Sequence, residues 1–281
     1  MIIIAKLFRI LFKFPFFRKR YFGFYKRIFK PNNLFEGQTA ICTFDKGLKI
    51  NAQLSEWIQQ HIYFLGIWDK QGTRFIKNHL KKGNVFFDIG ANIGYYSLIV
   101  SKQVGENGQI HAFEPVSGVF AQLQSNIELN GISNISANQN AVYEKSGTLD
   151  LFVSSGENTG MSSIFHHDTE SGVVEKVDAI TIDDYVEKMK IDRIDLIKID
   201  IEGAELFALK GMKNTLQRFK PMVFMELSQE VLRNASVNEK EIIQFMAKMD
   251  YELKGIDERG VMVTVTGNQY EYANVVFCMK S

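Results

Sequence analysis

The sequence predicts an α/β chain built on a doubly wound parallel sheet. Three observations predict it. Between residues 84 and 142, short apolar runs alternate with segments of helical period. The same rhythm resumes at residue 194 after a stretch of period-two alternation. The last apolar run, YANVVFCMK (272–280), closes the chain and reads as an antiparallel final strand.

The elements follow in order. TAICTFDKGLKIN (39–51) reads as strand, turn at Asp45, Lys46 and Gly47, and strand. Residues 52–82 read mostly helical. NVFFDIG (84–90) is a short buried strand and YYSLIVSKQV a helix. GQIHAFEP is a second strand, ended by Pro115. Residues 116–129 form a helix, with Phe120, Leu123 and Ile127 at helical spacing. ISANQNAV (135–142) reads as a third strand. GTLDLFVSS and GVVEKVDAITI then alternate around a Gly- and Ser-rich loop, SGENTGMSS (155–163). That loop either closes over a substrate, with Met161, Ser162 and Ser163, or is a plain surface loop. IDLIKID (194–200) is a strand, AELFALKGMKNTLQ (204–217) one helix, PMVFMEL (221–227) a strand. Residues 238–249 are helical and YELKGID (251–257) is a strand.

The chain has 281 residues, 46% of them hydrophobic, and a formal charge of +1. That length supports one large domain with a full core. The charge is unevenly placed. Residues 1–35 carry nine Lys and Arg and no acid. The remaining 24 basic and 32 acidic side chains give residues 36–281 a charge of −8. An acidic body argues against extended nucleic-acid binding. Two cysteines, Cys42 and Cys278, are too few for a disulfide scaffold and point to a reducing, cytoplasmic setting. Five histidines are scattered without zinc spacing, so no metal ligands are assigned.

The basic head, MIIIAKLFRILFKFPFFRKRYFGFYKRIFK, places Lys6, Arg9 and Lys13 three and four apart. It contains no run of eighteen apolar residues, so it is not a membrane span. It also lacks the layout of a signal peptide. Two readings stay open: a helix lying on an anionic membrane, and a helix packed on the body with its charges in solvent. The combination of Lys, Arg and Phe favours peripheral membrane contact through residues 1–30.

VFFDIGANIGYYS sets Asp88, Gly90, Asn92 and Gly94 at the turn leaving the first strand of the α/β run. Gly90 permits a sharp turn and a close backbone approach to a ligand. A dinucleotide turn would have glycine where Asp88 stands. A carboxylate aimed into the crevice repels pyrophosphate and suits an ammonium-bearing ligand. Glu114 ends the second strand, where an acid can accept both hydroxyls of a ribose. A nucleoside carrying an amine fits both, and S-adenosylmethionine has that description.

The segments VFFDIGANIGYYS, HAFEP and DLIKIDIEGAE resemble the FkbM family of class I S-adenosylmethionine-dependent methyltransferases. The resemblance spans roughly residues 60–230. It implies a Rossmann-like seven-stranded sheet with an antiparallel last strand, in three αβα layers. It also implies O-methylation of a hydroxyl on a sugar, glycan or related metabolite. Asp88, Gly90, Asn92 and Gly94 match the turn around the methionine moiety and Glu114 the ribose acid. Asn140 and Ala141 match positions near the adenine. Asp200, Glu202 and Glu205 match the acidic signature after the fourth strand. The organisation expected is an extension at 1–35 and a methyltransferase domain at 36–281. That domain has a β/α region at 36–82 and a β-rich excursion at 147–182.

Ligands of such sheets sit beyond the strands' C-terminal ends. Asp200 is therefore expected to orient or deprotonate an acceptor hydroxyl, with Glu202 or Glu226 assisting. Three converging acids leave a divalent cation open as the lesser alternative. A lipid-linked glycan is one acceptor compatible with the basic head. The other classes kept open are a nicotinamide-dependent oxidoreductase and a non-catalytic membrane-associated binding protein.

Overall fold

The computed structural model describes residues 1–153, 162–165, 173–265 and 273–280. Thirteen strands run through these residues. A hairpin comes first, β1 (Thr39–Phe44) and β2 (Leu48–Gln53), with Asp45–Gly47 as its connection. Next come β3 (Val85–Ile89), β4 (Gln109–Phe113), β5 (Ile135–Asn138), β6 (Ala141–Val142), β7 (Gly147–Val153) and β8 (Val173–Ile180). The rest are β9 (Leu196–Ile199), β10 (Met222–Leu227), β11 (Tyr251–Ile256), β12 (Met262–Thr264) and β13 (Ala273–Met279).

The main sheet has the order β12-β11-β13-β10-β9-β3-β4-β5. Strands β5, β4, β3, β9 and β10 pair in parallel, and β13 inserts antiparallel between β10 and β11. The antiparallel final strand is therefore present, with β12 added as a short eighth strand beside β11. Every residue of β3 and β9 is buried. Parallel strands covered on both faces read as unbroken apolar runs, and these two do. Their side chains alternate between two cores. Phe86 and Leu196 face one, Phe87 and Ile197 the other, so the layers are αβα.

Two expected elements are divided. Residues 135–142 do not form one strand: β5 ends at Asn138, and β6 leaves to pair with β8 in a separate sheet, β6-β8-β7. Asn138 turns its side chain back to the carbonyls of Ala112 and Ser136. The helix expected over 204–217 is two, Glu205–Lys210 and Lys213–Phe219. The break has a tertiary cause: a Cβ at Gly211 would lie 2.1 Å from the Tyr143 carbonyl oxygen. Of the loop 155–163, residues 155–161 lie outside the described residues. So do His166 and His167.

The head folds onto the body. Its first helix, Ile2–Leu11, turns Ala5 and Phe8 inward, and Phe12 follows with no exposure. The Phe12 ring meets those of Tyr21, Phe24 and Phe64 edge-on at 5.3–5.5 Å. Arg9 donates to the Thr43 carbonyl (3.0 Å), Arg18 to that of Leu65 (2.7 Å), and Tyr21 Oη to Gln60 Oε1 (2.9 Å). Among the described residues no helix is long and apolar enough to cross a membrane. Phe12→Ala is expected to cost about 3–5 kcal/mol of stability. Phe16→Ala, at an exposed ring, should be close to neutral. Chemical denaturation of the two variants checks the contrast.

Candidate functional site

The site lies where the C-terminal ends of β3 and β9 meet, as the strand order requires. After β3 the chain turns at once. The Gly90 and Ala91 amides both donate to the Phe113 carbonyl, at 3.0 and 2.9 Å. Gly90 has φ +77°, and a Cβ there would stand 1.9 Å from the Asp200 carbonyl oxygen. The two loops thus touch backbone to backbone, and only glycine permits it. Asn92 also takes a left-handed φ (50°), and its Oδ1 accepts from the Ile93 amide at 2.7 Å. Gly94 caps the helix Tyr95–Val104, with Leu123 against its α-carbon.

Glu114 closes this side. Its Oε2 accepts from the Asn92 amide (2.9 Å) and its Oε1 from the Val116 amide (3.0 Å). Burial pushes its carboxyl up to about 7 despite those bonds. Gly90, Asn92 and Glu114 line a cleft of about 300 Å³, with Asn140 and Ala141 also on its wall. Val116, Val142 and Leu151 supply apolar lining. Gly94 caps the helix behind this turn and is not on the wall.

Asp88 does not point into that cleft, contrary to the sequence reading. It is fully buried, and Ser97 Oγ donates to its Oδ2 at 2.6 Å. The alternation of β3 aims it at the helix Tyr95–Val104, so it supports the turn from behind. Burial raises its pKa, opposed by Lys198 and Ser97.

Lys198, which sequence reasoning left without a role, holds the centre. Its Nζ donates to the Gly90 carbonyl at 2.7 Å and lies 3.6 Å from Asp88 Oδ1 and 3.5 Å from Asp200 Oδ2. Burial alone would lower its pKa, but Asp200 and Asp88 outweigh that and raise it. Lys198 therefore keeps its proton. One ammonium shared between two carboxyls leaves the fully buried Asp88 the less satisfied of the pair.

Asp200, Glu202 and Glu226 converge on the cleft. Glu202 sits at φ +51° and Gly203 at φ +102°. The tight turn they make is latched by buried Glu205, whose Oε1 accepts from the Ile201 and Gly203 amides at 3.2 Å each. Glu205 is thus a clasp for the turn. Ser163 Oγ donates to the Glu202 carbonyl at 2.7 Å, and Ser162 lines the cleft. Burial, then Asp200, Glu205 and Glu226, lift the Glu202 carboxyl well above its usual range. Glu226 keeps solvent on one side, yet desolvation by the cleft walls and the neighbouring Asp200 push it up to about 7. This wall holds more carboxyls than can ionise together at neutral pH.

A second hollow of about 240 Å³ adjoins, sharing Trp68, Lys198, Asp200 and Glu226 and adding Asp69 and Asn274. Asp69 caps the helix Lys70–His79 by accepting from the Gly72 amide. It also accepts from Tyr96 Oη (2.5 Å) and Asn274 Nδ2 (3.0 Å). Tyr96 and Asn274 are remote in sequence, so nothing around Asp69 signals those two bonds. Among the described residues no group of three or more His, Cys, Asp or Glu side chains is arranged to hold a metal ion.

The family model for the methyltransferase FkbM domain matches residues 88–253, more than half of the chain. The chain belongs to the FkbM methyltransferase family. The matched span covers the turn after β3, Glu114 and the acidic turn after β9. Among the similar proteins is the hexuronic acid methyltransferase AglP of Haloferax volcanii. It is 26% identical over 182 residues, which is 64% of this chain and 69% of that protein. Methyltransferase 1 of Beauveria bassiana is 25% identical over 142 residues, 44% of this chain and 57% of that relative. This chain therefore spans little more than half of the Beauveria protein. A solved structure of methyltransferase FkbM from Methylobacillus flagellatus superposes with a TM-score of 0.46 at 15% identity. That superposition covers 78% of this chain and 52% of the other. Gly90→Ala is expected to abolish ligand binding at the cleft and to lower the melting temperature. A scanning fluorimetry melt beside a binding titration checks both.

Proposed function

We propose that this chain is an S-adenosylmethionine-dependent O-methyltransferase acting on a hydroxyl of a sugar, glycan or related metabolite. One observation carries the reading: Asp200, Glu202 and Glu226 stand on the same cleft as the Gly90 turn and Glu114. The cleft fits the donor. The Gly90 turn presents bare backbone, Glu114 is a carboxyl at a strand end, and the apolar wall suits a flat base. S-adenosylmethionine supplies, when bound, an electrophilic methyl on a sulfonium. Glu114 accepts hydrogen bonds from ribose hydroxyls, and Asn140 and Ala141 border the base.

The chain's own task is then to seat an acceptor oxygen and remove its proton. Asp200 is half-exposed at the cleft, with Lys198 at its back. It accepts the hydroxyl proton, or orients the hydroxyl so that the proton leaves to Glu226. Glu202 and Glu226 accept from neighbouring hydroxyls, which suits a vicinal diol. The Trp68 ring and Asp69 beside Asp200 extend the surface in a way that fits a pyranose. The name of the Haloferax relative supports a sugar acid as the first acceptor to try.

Transfer of labelled methyl from S-adenosylmethionine to a panel of uronic acids and glycosides tests this reading. Asp200→Asn should lower turnover by at least ~10²-fold. Methylation confined to nitrogen or carbon acceptors, or near-normal turnover in Asp200→Asn, would sink it. A pH profile gives a separate check. Glu226 with a carboxyl near 7 is protonated below that pH and cannot take up the hydroxyl proton. The value of kcat/KM should therefore rise with pH through about 7, and Glu226→Gln should flatten that limb.

A further inference from the structure

The head is apolar on two opposite faces. One face, with Ala5, Phe8 and Phe12, packs on the body. The other points away from it. Ile3, Leu7 and Ile10 fall on one stripe of the helix Ile2–Leu11 and are 72%, 61% and 55% exposed. Beyond the helix, Phe14, Phe16 and Phe22 are more than half exposed as well. A helix merely docked on a domain would carry polar side chains on its outer face. Here the outer face is apolar, with exposed Lys6 and Lys13 along one flank. Scattered apolar side chains on a surface need no explanation, but a contiguous stripe does.

We propose that residues 1–30 seat the protein on an anionic phospholipid bilayer, with the mouth of the cleft turned toward the same interface. Charge selects the occupant. The head carries nine cations and no acid, whereas the body sums to −8. An anionic surface attracts the first and repels the second, which fixes an orientation as well as a contact. Apolar side chains sink below the headgroups while Lys and Arg meet the phosphates.

Aromatic contacts link this seat to the cleft. Trp57 lies 4.3 Å from Tyr25 and 6.0 Å from Phe22, ring to ring. On its other side it meets His61 and Trp68, at 5.8 and 6.5 Å. Trp68 and the neighbouring Ile58 line the cleft itself. The head thus continues into the rim of the site through a band of aromatic rings, the side chains that favour the bilayer boundary. On the methyl-transfer reading above, on which this clause alone rests, the acceptor hydroxyl is presented from the lipid surface.

The test needs neither donor nor acceptor, so it stands or falls apart from the catalytic reading. Trp57 and Trp68 are the chain's two tryptophans, and both sit on this band. The full chain is mixed with vesicles of phosphatidylcholine and phosphatidylglycerol, with and without brominated acyl chains. Co-sedimentation and quenching of tryptophan emission are both expected. Pure phosphatidylcholine vesicles should bind roughly tenfold more weakly or worse. The double variant Leu7→Glu/Ile10→Glu should lose at least roughly tenfold in affinity with an unchanged circular dichroism melt. If that variant does not fold, Lys6→Glu/Lys13→Glu carries the same test on the anionic vesicles. No sedimentation, or equal sedimentation by the folded variant, overturns the proposal. So does a concentration-dependent dimer lost in the variant without vesicle binding. Binding with unquenched tryptophans overturns the orientation.

Discussion

The site depends on one buried ammonium. Lys198 is placed by β9 in the centre of the sheet, where it reaches the Gly90 carbonyl, Asp88 and Asp200 together. It ties the end of β3 to the end of β9 at the point where both loops must leave the sheet. Without it, Asp88 would be a buried carboxyl with Ser97 as its main support, and Asp200 would lose its counter-charge. Breaking a buried pair by removing one partner costs about 3–5 kcal/mol in other proteins, because the orphaned charge stays behind. Replacing such a cluster by apolar residues can be neutral. Its retention here is better explained by geometry than by stability: it holds a glycine turn against a carboxylate.

The acids around that centre differ in task. Glu205 is fully enclosed and latches the turn through two backbone amides. Glu114 is enclosed too, and two amides orient it toward the cleft. Asp200 and Glu226 retain contact with solvent, and Glu202 stands between. Motif position does not separate these roles, because four of the five acids lie in or beside two short sequence runs. Burial and hydrogen bonding separate them. Glu205 spends one oxygen on the turn and stays off the cleft wall, whereas Asp200, Glu202 and Glu226 stand on it.

Much of the sheet was legible because buried parallel strands advertise themselves. VFFDI and LIKI are short, mostly apolar runs bounded by Asn, Gly or Asp. β12 is three residues long and was not legible, since so short a segment carries no period. The break at Gly211 was hidden because its cause, the Tyr143 carbonyl, is distant in sequence. Asp88 was read as facing the ligand. Its parity on β3 sends it the other way, and parity is visible only once a neighbouring position is known to face a core. Lys198 stood in plain view inside an apolar run. A lysine there is ambiguous until its partners are, and Asp88 and Gly90 come from another strand end. The head shows the same limit. Its composition allows two alternatives; its inner face packs on the body, and Ile3, Leu7 and Ile10 on the outer stripe stay exposed.

On the proposed function, the crevice gathered by Lys198 receives S-adenosylmethionine. Calorimetric titration with S-adenosylhomocysteine tests it most directly, because the product analogue is stable and no acceptor need be known. NADH serves as the control for the competing dinucleotide reading. Saturable binding of S-adenosylhomocysteine, absent for NADH and weakened roughly tenfold or more by Glu114→Ala, is the expected result. No binding by demonstrably folded protein, or binding of NADH instead, would contradict the account.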